Sequence, residues 1–123
     1  MSRNEQPKLD EYPITSKDGS TKVLDAEQIY KFTDPEGKSG RWLAVLTIQT
    51  SWKDADGKQN TKTNVRILRW EYRMLTRWDN DQRKRVPTGE YGWIQEQDHS
   101  VNKKNVWDKT IAAVDKQLAK VAQ

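Results

Sequence analysis

The chain has 123 residues, a third of them apolar and a third charged, and its 22 Lys and Arg against 18 Asp and Glu leave a net charge of +4. That length suits one domain with one modest core, and six Trp, four Tyr and one Phe are too many large rings for a disordered chain. With no cysteine and a single histidine, His99, disulfides and thiolate or zinc sites are excluded, and no metal or other cofactor is expected. The first residues lack the apolar stretch of a signal peptide and no apolar run is long enough to cross a bilayer, so the expected address is the cytoplasm, with no membrane partner.

Residues 1–11 are polar, carry Pro7 and read as a disordered tail, leaving 12–123 as a single α+β domain. Three turn signals follow, Ser16-Lys-Asp-Gly19, Asp34-Pro-Glu-Gly37 and Asp54-Ala-Asp-Gly57. Each places a glycine where positive φ costs nothing, and together they cut the chain into strand-length pieces, the pattern of an antiparallel meander. The first strand spans about Lys22–Phe32 and the second Arg41–Trp52, with Trp42, Ala44, Leu46, Ile48 and Trp52 on one face and Leu43, Val45 and Thr47 on the other. Asp56-Gly57 reads as a two-residue type I′ turn, which needs positive φ at both residues. Paired positions then sum to 113, setting Leu46 against Ile67 and Ile48 against Val65 on the core face, and Val45 against Leu68 and Leu43 against Trp70 on the other.

The third strand starts near Thr61. Residues Val65–Trp78 also fit an amphipathic helix, with Arg66, Arg69, Arg73 and Arg77 on one side; a strand is preferred because the hairpin needs a partner for the second strand. Residues 78–89 read as a loop and Glu90–Glu96 as a last strand. From Asn105 to Val121 the pattern is helical, with Asn105 as cap and Asp108 in the first turn. Its apolar stripe, Val106, Trp107, Ile111, Val114, Leu118 and Val121, is expected to lie on the sheet. The expected architecture is therefore a twisted antiparallel meander of four to five strands with one C-terminal helix on one face. A meander followed by one helix resembles, at the level of topology, the Whirly and PUR groups of single-strand nucleic-acid binders.

Catalysis finds little support. No Gly-rich phosphate loop and no Ser-His or Cys-His pairing is present, and His99 lies in a polar run, so a non-enzymatic protein is expected. Asp54-Ala-Asp-Gly57 lacks the further oxygen ligands of a calcium loop, since no carboxylate follows before Glu71. Between Thr61 and Val86, by contrast, eight basic residues stand against three acidic ones. Arg41, Arg66, Arg69, Arg73, Arg77, Arg83, Lys84 and Arg85, with Trp70, Tyr72 and Trp78, supply guanidinium forks for phosphate and rings for stacking. They point to single-stranded DNA or RNA held on an uncovered sheet face and the loop at 79–86. The alternative is a homodimer or protein complex whose interface is the Leu43, Val45, Leu68, Trp70 and Tyr72 side, because interface hot spots favour the same residue types.

Overall fold

The computed structural model describes residues 7–96 and 103–122. Four strands run in the order β1 (Thr21–Thr33), β2 (Gly40–Lys53), β3 (Gln59–Asp79) and β4 (Lys84–Glu96), followed by the helix α1 (Lys104–Val121). All neighbours pair antiparallel and the sheet order is the chain order. The α+β meander with a C-terminal helix is thus present. The stretch that also fitted a helix is strand, part of a β3 that runs for 21 residues.

The register differs from the expected one by a single residue. Gly57 has φ 79°, but Asp56 does not share a positive φ, so the turn is not type I′. The Gly57 N–H donates to the Asp54 carbonyl (2.9 Å) and the Asp54 N–H to the Lys58 carbonyl (3.0 Å), a three-residue loop ending in a left-handed glycine. The cause is the Asp54 carboxylate, whose Oδ1 accepts the N–H groups of Asp56 (3.0 Å) and Lys58 (2.9 Å) and so favours the longer turn. Paired positions consequently sum to 112: Trp42 faces Trp70, Ala44 faces Leu68, Val45 faces Ile67 and Leu46 faces Arg66. Leu46 and Ile67 therefore lie on opposite faces, because a one-residue slip exchanges faces.

Both faces of the sheet are covered. In β2 every side chain from Trp42 to Ile48 is buried, as befits a central strand packed on two sides. On one face Val23, Trp42, Ala44, Leu46, Ile48, Leu68 and Trp70 form a core closed by Tyr12. Leu9–Glu11, inside the segment read as tail, makes one 3-10 turn that leads into Tyr12. The Tyr12 ring stacks on Trp42 at 5.0 Å and lies 6.0 Å from Trp70. The face expected to be open is thus closed by the chain's own N-terminal segment.

On the other face Ile29, Leu43, Val45 and Ala113 form a second cluster under α1. The helix docks through one margin of its apolar stripe, with Val106 and Val114 packed on that cluster, and not through the stripe's centre. Thr110, Ala113 and Gln117 are its buried residues, whereas Trp107, Leu118 and Val121 stay 48%, 49% and 41% exposed. The docking is polar at its centre: the Thr47 hydroxyl donates to Gln117 Oε1 (2.7 Å), and Gln117 Nε2 donates to the Val45 carbonyl (2.8 Å). Small and hydrogen-bonded side chains bring the helix axis close to the strands, which Trp107 and Leu118 would hold away. The helix begins one residue before the expected cap, at Lys104, and its preceding residue Lys103 makes no side-chain cap. His99 lies outside the described residues.

Two outcomes follow from these covers. Gln117→Leu strands a buried Thr47 hydroxyl and should cost about 1–3 kcal/mol in chemical denaturation, with Thr47→Val in the same chain recovering much of it. Burial, together with the neighbouring Glu11 carboxylate, pushes the Tyr12 phenol up to about 12 from 10.0. The folded chain therefore favours the neutral phenol. Its stability contribution is intact below pH 10 and is lost as pH rises toward 12, by about 2–3 kcal/mol. Tyr12→Phe should abolish that part of the alkaline decline in urea midpoint while leaving neutral-pH stability nearly unchanged.

Candidate nucleic-acid interface

Beyond Tyr72, the last β3 residue paired with β2, residues Arg73–Asp79 pair only with β4. Seven extended residues reach about 23 Å past the sheet. This two-stranded arm is built from Arg73–Asp79 and from β4 up to Gly92, so much of the segment expected as a loop at 78–89 is strand. The pairing slips between Met74 and Thr76, where β4 carries Gly89 at φ 84°, a bulge at the arm's root. There the Thr88 hydroxyl donates to the Leu75 carbonyl (3.0 Å).

The arm's tip is held by Asp79. Its Oδ1 accepts the N–H groups of Asp81 (2.9 Å) and Gln82 (3.3 Å), and its Oδ2 the Gln82 side-chain amide (3.2 Å). This engages one of the two acidic groups beside the basic run. Arg83 closes the turn at φ 52°, the lone non-glycine with positive φ among the described residues. The turns after Ser16, Asp34 and Asp54 use Gly19, Gly37 and Gly57 for the same conformation. Behind the tip, Arg85 Nε donates to Thr76 Oγ1 (2.7 Å) and Nη2 to the Thr76 carbonyl (2.8 Å). That fixes the guanidinium at Thr76, while the Arg85 backbone pairs with Trp78 two residues further along β3, and Trp78 is 53% exposed.

The expected site residues do not form one surface. Alternation along β3 puts Trp70, Tyr72 and Trp78 on the Tyr12 side together with Arg66, and Arg69, Arg73 and Arg77 on the α1 side. Arg41 lies opposite Glu71 on that α1 side. Trp70 is only 1% exposed, so it belongs to the core and offers no free ring. Tyr72 is packed beside Trp93 (5.1 Å) and Tyr91 (6.0 Å). Arg73 lies 3.9 Å from Glu96. Arg77, Trp78, Arg83, Lys84 and Arg85 remain exposed and gathered on the arm. The Leu43, Val45, Leu68, Trp70 and Tyr72 side is likewise divided, with Leu43 and Val45 under α1 and Leu68 and Trp70 under Tyr12.

Tyr91 and Trp93 are rings of the expected last strand, whereas nothing in the sequence marks Lys31 as a neighbour of Trp93. Lys31 Nζ stands 4.0 Å over the Trp42 ring and 5.7 Å from that of Trp93, a cation on ring faces that nucleobases would otherwise need. The β1–β2 pairing that sets Lys31 opposite Trp42 depends on bulges in β1 that composition does not reveal. No group of three or more potential metal ligands occurs among the described residues, and none of their helices is long and apolar enough to cross a membrane. No protein-family model matches the chain, and comparison with curated proteins and with solved structures likewise finds no match.

Arg83 gives the arm a test of its own. A left-handed backbone costs a non-glycine residue about 1–2 kcal/mol, offset in part by the extra entropy glycine loses on folding. Arg83→Gly should therefore raise stability by about 0.5–1 kcal/mol, read as a higher melting temperature.

Proposed function

We propose that the chain is a non-enzymatic binder of single-stranded nucleic acid, DNA or RNA, and that the β3–β4 arm is its contact surface. The observation that carries this reading is Trp78, half exposed on the projecting arm, opposite an arginine anchored by two hydrogen bonds to Thr76. A base stacked on Trp78 would lie beside a fixed positive charge. Arg77, Arg83 and Lys84, all exposed, would meet the phosphates on either side. A two-stranded ribbon is narrow enough to enter a groove or follow a loop of structured RNA. The strained Arg83 supports the same reading, since strained backbone is retained where the side chain is needed. A cytoplasmic place of action accompanies it. The sheet face and Trp70 drop out of the site, and Arg41, Arg66 and Arg69 lie too far down the sheet to share a ligand with the tip.

The test is binding of a fluorescent oligonucleotide across a salt series. Each phosphate contact on a single strand contributes about 0.7 to the log–log slope. Changing Arg77, Arg83 and Lys84 together to Gln should flatten that slope by about 2 and weaken all sequences alike. Trp78→Ala should weaken binding by about ten- to a hundredfold with the slope unchanged, since stacking on a ring is worth about 1–3 kcal/mol per base. Absence of binding at low salt, or binding indifferent to Trp78, sinks the proposal.

A further inference from the structure

Along the other half of β3 the described residues supply a neighbour on one side. Residues Gln59–Leu68 pair with β2 on one side, and among the described residues nothing pairs with them on the other, because β4 ends at Glu96 opposite Arg69. The two outer strands carry the usual protections against edge pairing. The ladder of β1 is broken by shifts at Leu24 and Ile29, and β4 carries Pro87, Gly89, Gly92 and a shift of its own. Gln59–Leu68 has no proline, no glycine and no bulge.

Its backbone groups can be assigned directions. Asp54 and Lys58 are a hydrogen-bonded pair, and such pairs alternate along an antiparallel ladder. Even-numbered β3 residues therefore bond to β2, and Thr61, Thr63, Val65 and Ile67 turn their N–H and C=O groups outward. The Ser51 N–H agrees, since it leaves β3 and donates to the Ser20 carbonyl (2.8 Å).

Helix α1 adds an apolar wall beside this edge. Lys109 reaches the Ile29 carbonyl (3.3 Å) and Lys120 the Asp25 carboxylate (3.0 Å), so that flank of the helix faces β1. The opposite flank looks out past β3 and carries Trp107, Leu118 and Val121, exposed, with Ile111 half-buried between them and Val114 packed on the second cluster beneath. Together they make an apolar strip along the helix, of which Trp107, Leu118 and Val121 remain exposed among the described residues. At its C-terminal end an open cleft is lined by Leu24, Thr47, Thr63 and Val121, among others.

We infer that a second copy of this chain occupies the edge, Gln59–Leu68 pairing antiparallel with the same segment about a two-fold axis at Thr63. The slot's length selects this occupant. It is bounded at one end by the Asp54–Lys58 turn and at the other by β4, so an incoming strand must itself be about ten residues long and stop in a tight turn. The same segment of a second copy meets both conditions, and its turn arrives against the end of β4. With Thr63 on the axis, Lys62 faces Asn64 and Arg66 faces Asn60 of the other copy, and no like charges oppose. One step along, with Asn64 on the axis, Lys62 would oppose Arg66. A further step would drive the turn into β4. The same rotation places both helices on one face of a continuous eight-stranded sheet, with the Leu118 and Val121 ends turned toward each other across the axis. An isologous contact of this kind closes on itself and leaves no edge for a third copy. The inference stands apart from the nucleic-acid reading, since it uses neither the arm nor its arginines.

Sedimentation of the purified chain across a range of concentrations tests it. The expected mass is twice the 14.4 kDa of one chain, falling toward one chain on dilution. Thr63→Pro removes an outward N–H, a position where strands tolerate proline, and should give a monomer with an unchanged circular dichroism spectrum. Leu118→Lys, at a half-exposed position, should raise the dimer Kd at least about tenfold while the circular dichroism spectrum stays that of the folded chain. Hydrogen exchange at Thr61, Thr63, Val65 and Ile67 should slow as concentration rises. A single-chain mass at all concentrations overturns the inference, as does a dimer that neither substitution weakens.

Discussion

A single carboxylate oxygen, Oδ1 of Asp54, sits between the N–H groups of Asp56 and Lys58, and the sorting of side chains in this sheet depends on it. Those contacts, the Lys58 N–H first and then the Asn60 side-chain amide, hold the Asp54 carboxyl below the usual carboxylate range. With the oxygen in place the loop has three residues, and Trp42 meets Trp70 on one face while Val45 meets Ile67 on the other. A loop shorter by one would exchange β3's two sets of side chains, bringing Arg69 and Arg73 under Tyr12 and Trp70 under the helix. The chain uses the same device elsewhere. Asp34 accepts the Lys38 N–H (2.8 Å) and Asp79 those of Asp81 and Gln82, so each hairpin is closed by an aspartate answering its own backbone.

The register in turn decides what remains available for function. Rings that would have lined a binding face are spent on one another, in a run from Tyr12 through Trp42 and Trp70 to Trp93 and Tyr72. Helix α1 covers the second face through Thr110, Ala113 and Gln117, flanked by Val106 and Val114, while Trp107 and Leu118 stay exposed. With both faces closed, the accessible chemistry is displaced to the margins. Basic residues and one exposed tryptophan collect on the arm, and the apolar side chains of α1 collect beside the lower part of β3, whose outer edge no described residue pairs. The two margins lie at opposite ends of the same strand.

Much of the architecture was legible in the sequence. The strands of the meander follow from two-residue alternation bounded by Gly19, Gly37 and Gly57, and the helix follows from its period. The loop length at Asp54 was not legible, because Asp56-Gly57 satisfies two turn geometries and only the contacts of the preceding aspartate separate them. The helix is rotated from the expected stripe, which it keeps only at Val106 and Val114, for a related reason. Hydropathy ranks Trp107 and Leu118 above Thr110 and Gln117, but a close-docked helix needs small or hydrogen-bonded residues at its contact line, and the partner groups, Thr47 and the Val45 carbonyl, lie some 70 residues away in sequence. Of the expected site, the residues of the arm survive as a cluster and Trp70 does not, because nothing local marks Tyr12 as its cover.

The length of β3 has a mechanical consequence. Its 21 residues make one continuous beam, clamped along its lower part by β2 and along its upper part by β4. Among the described residues the two clamps overlap at Arg69–Tyr72. Load applied at the tip is therefore carried into the body through four residues, one of which is the buried Trp70, while the slip beside Met74 lies just outboard of that overlap. Torsion of the arm can be absorbed at the slip before it reaches the ring cluster. Backbone amides beyond it are secured by one neighbouring strand alone, so the cantilever can open locally while the clamped body stays folded.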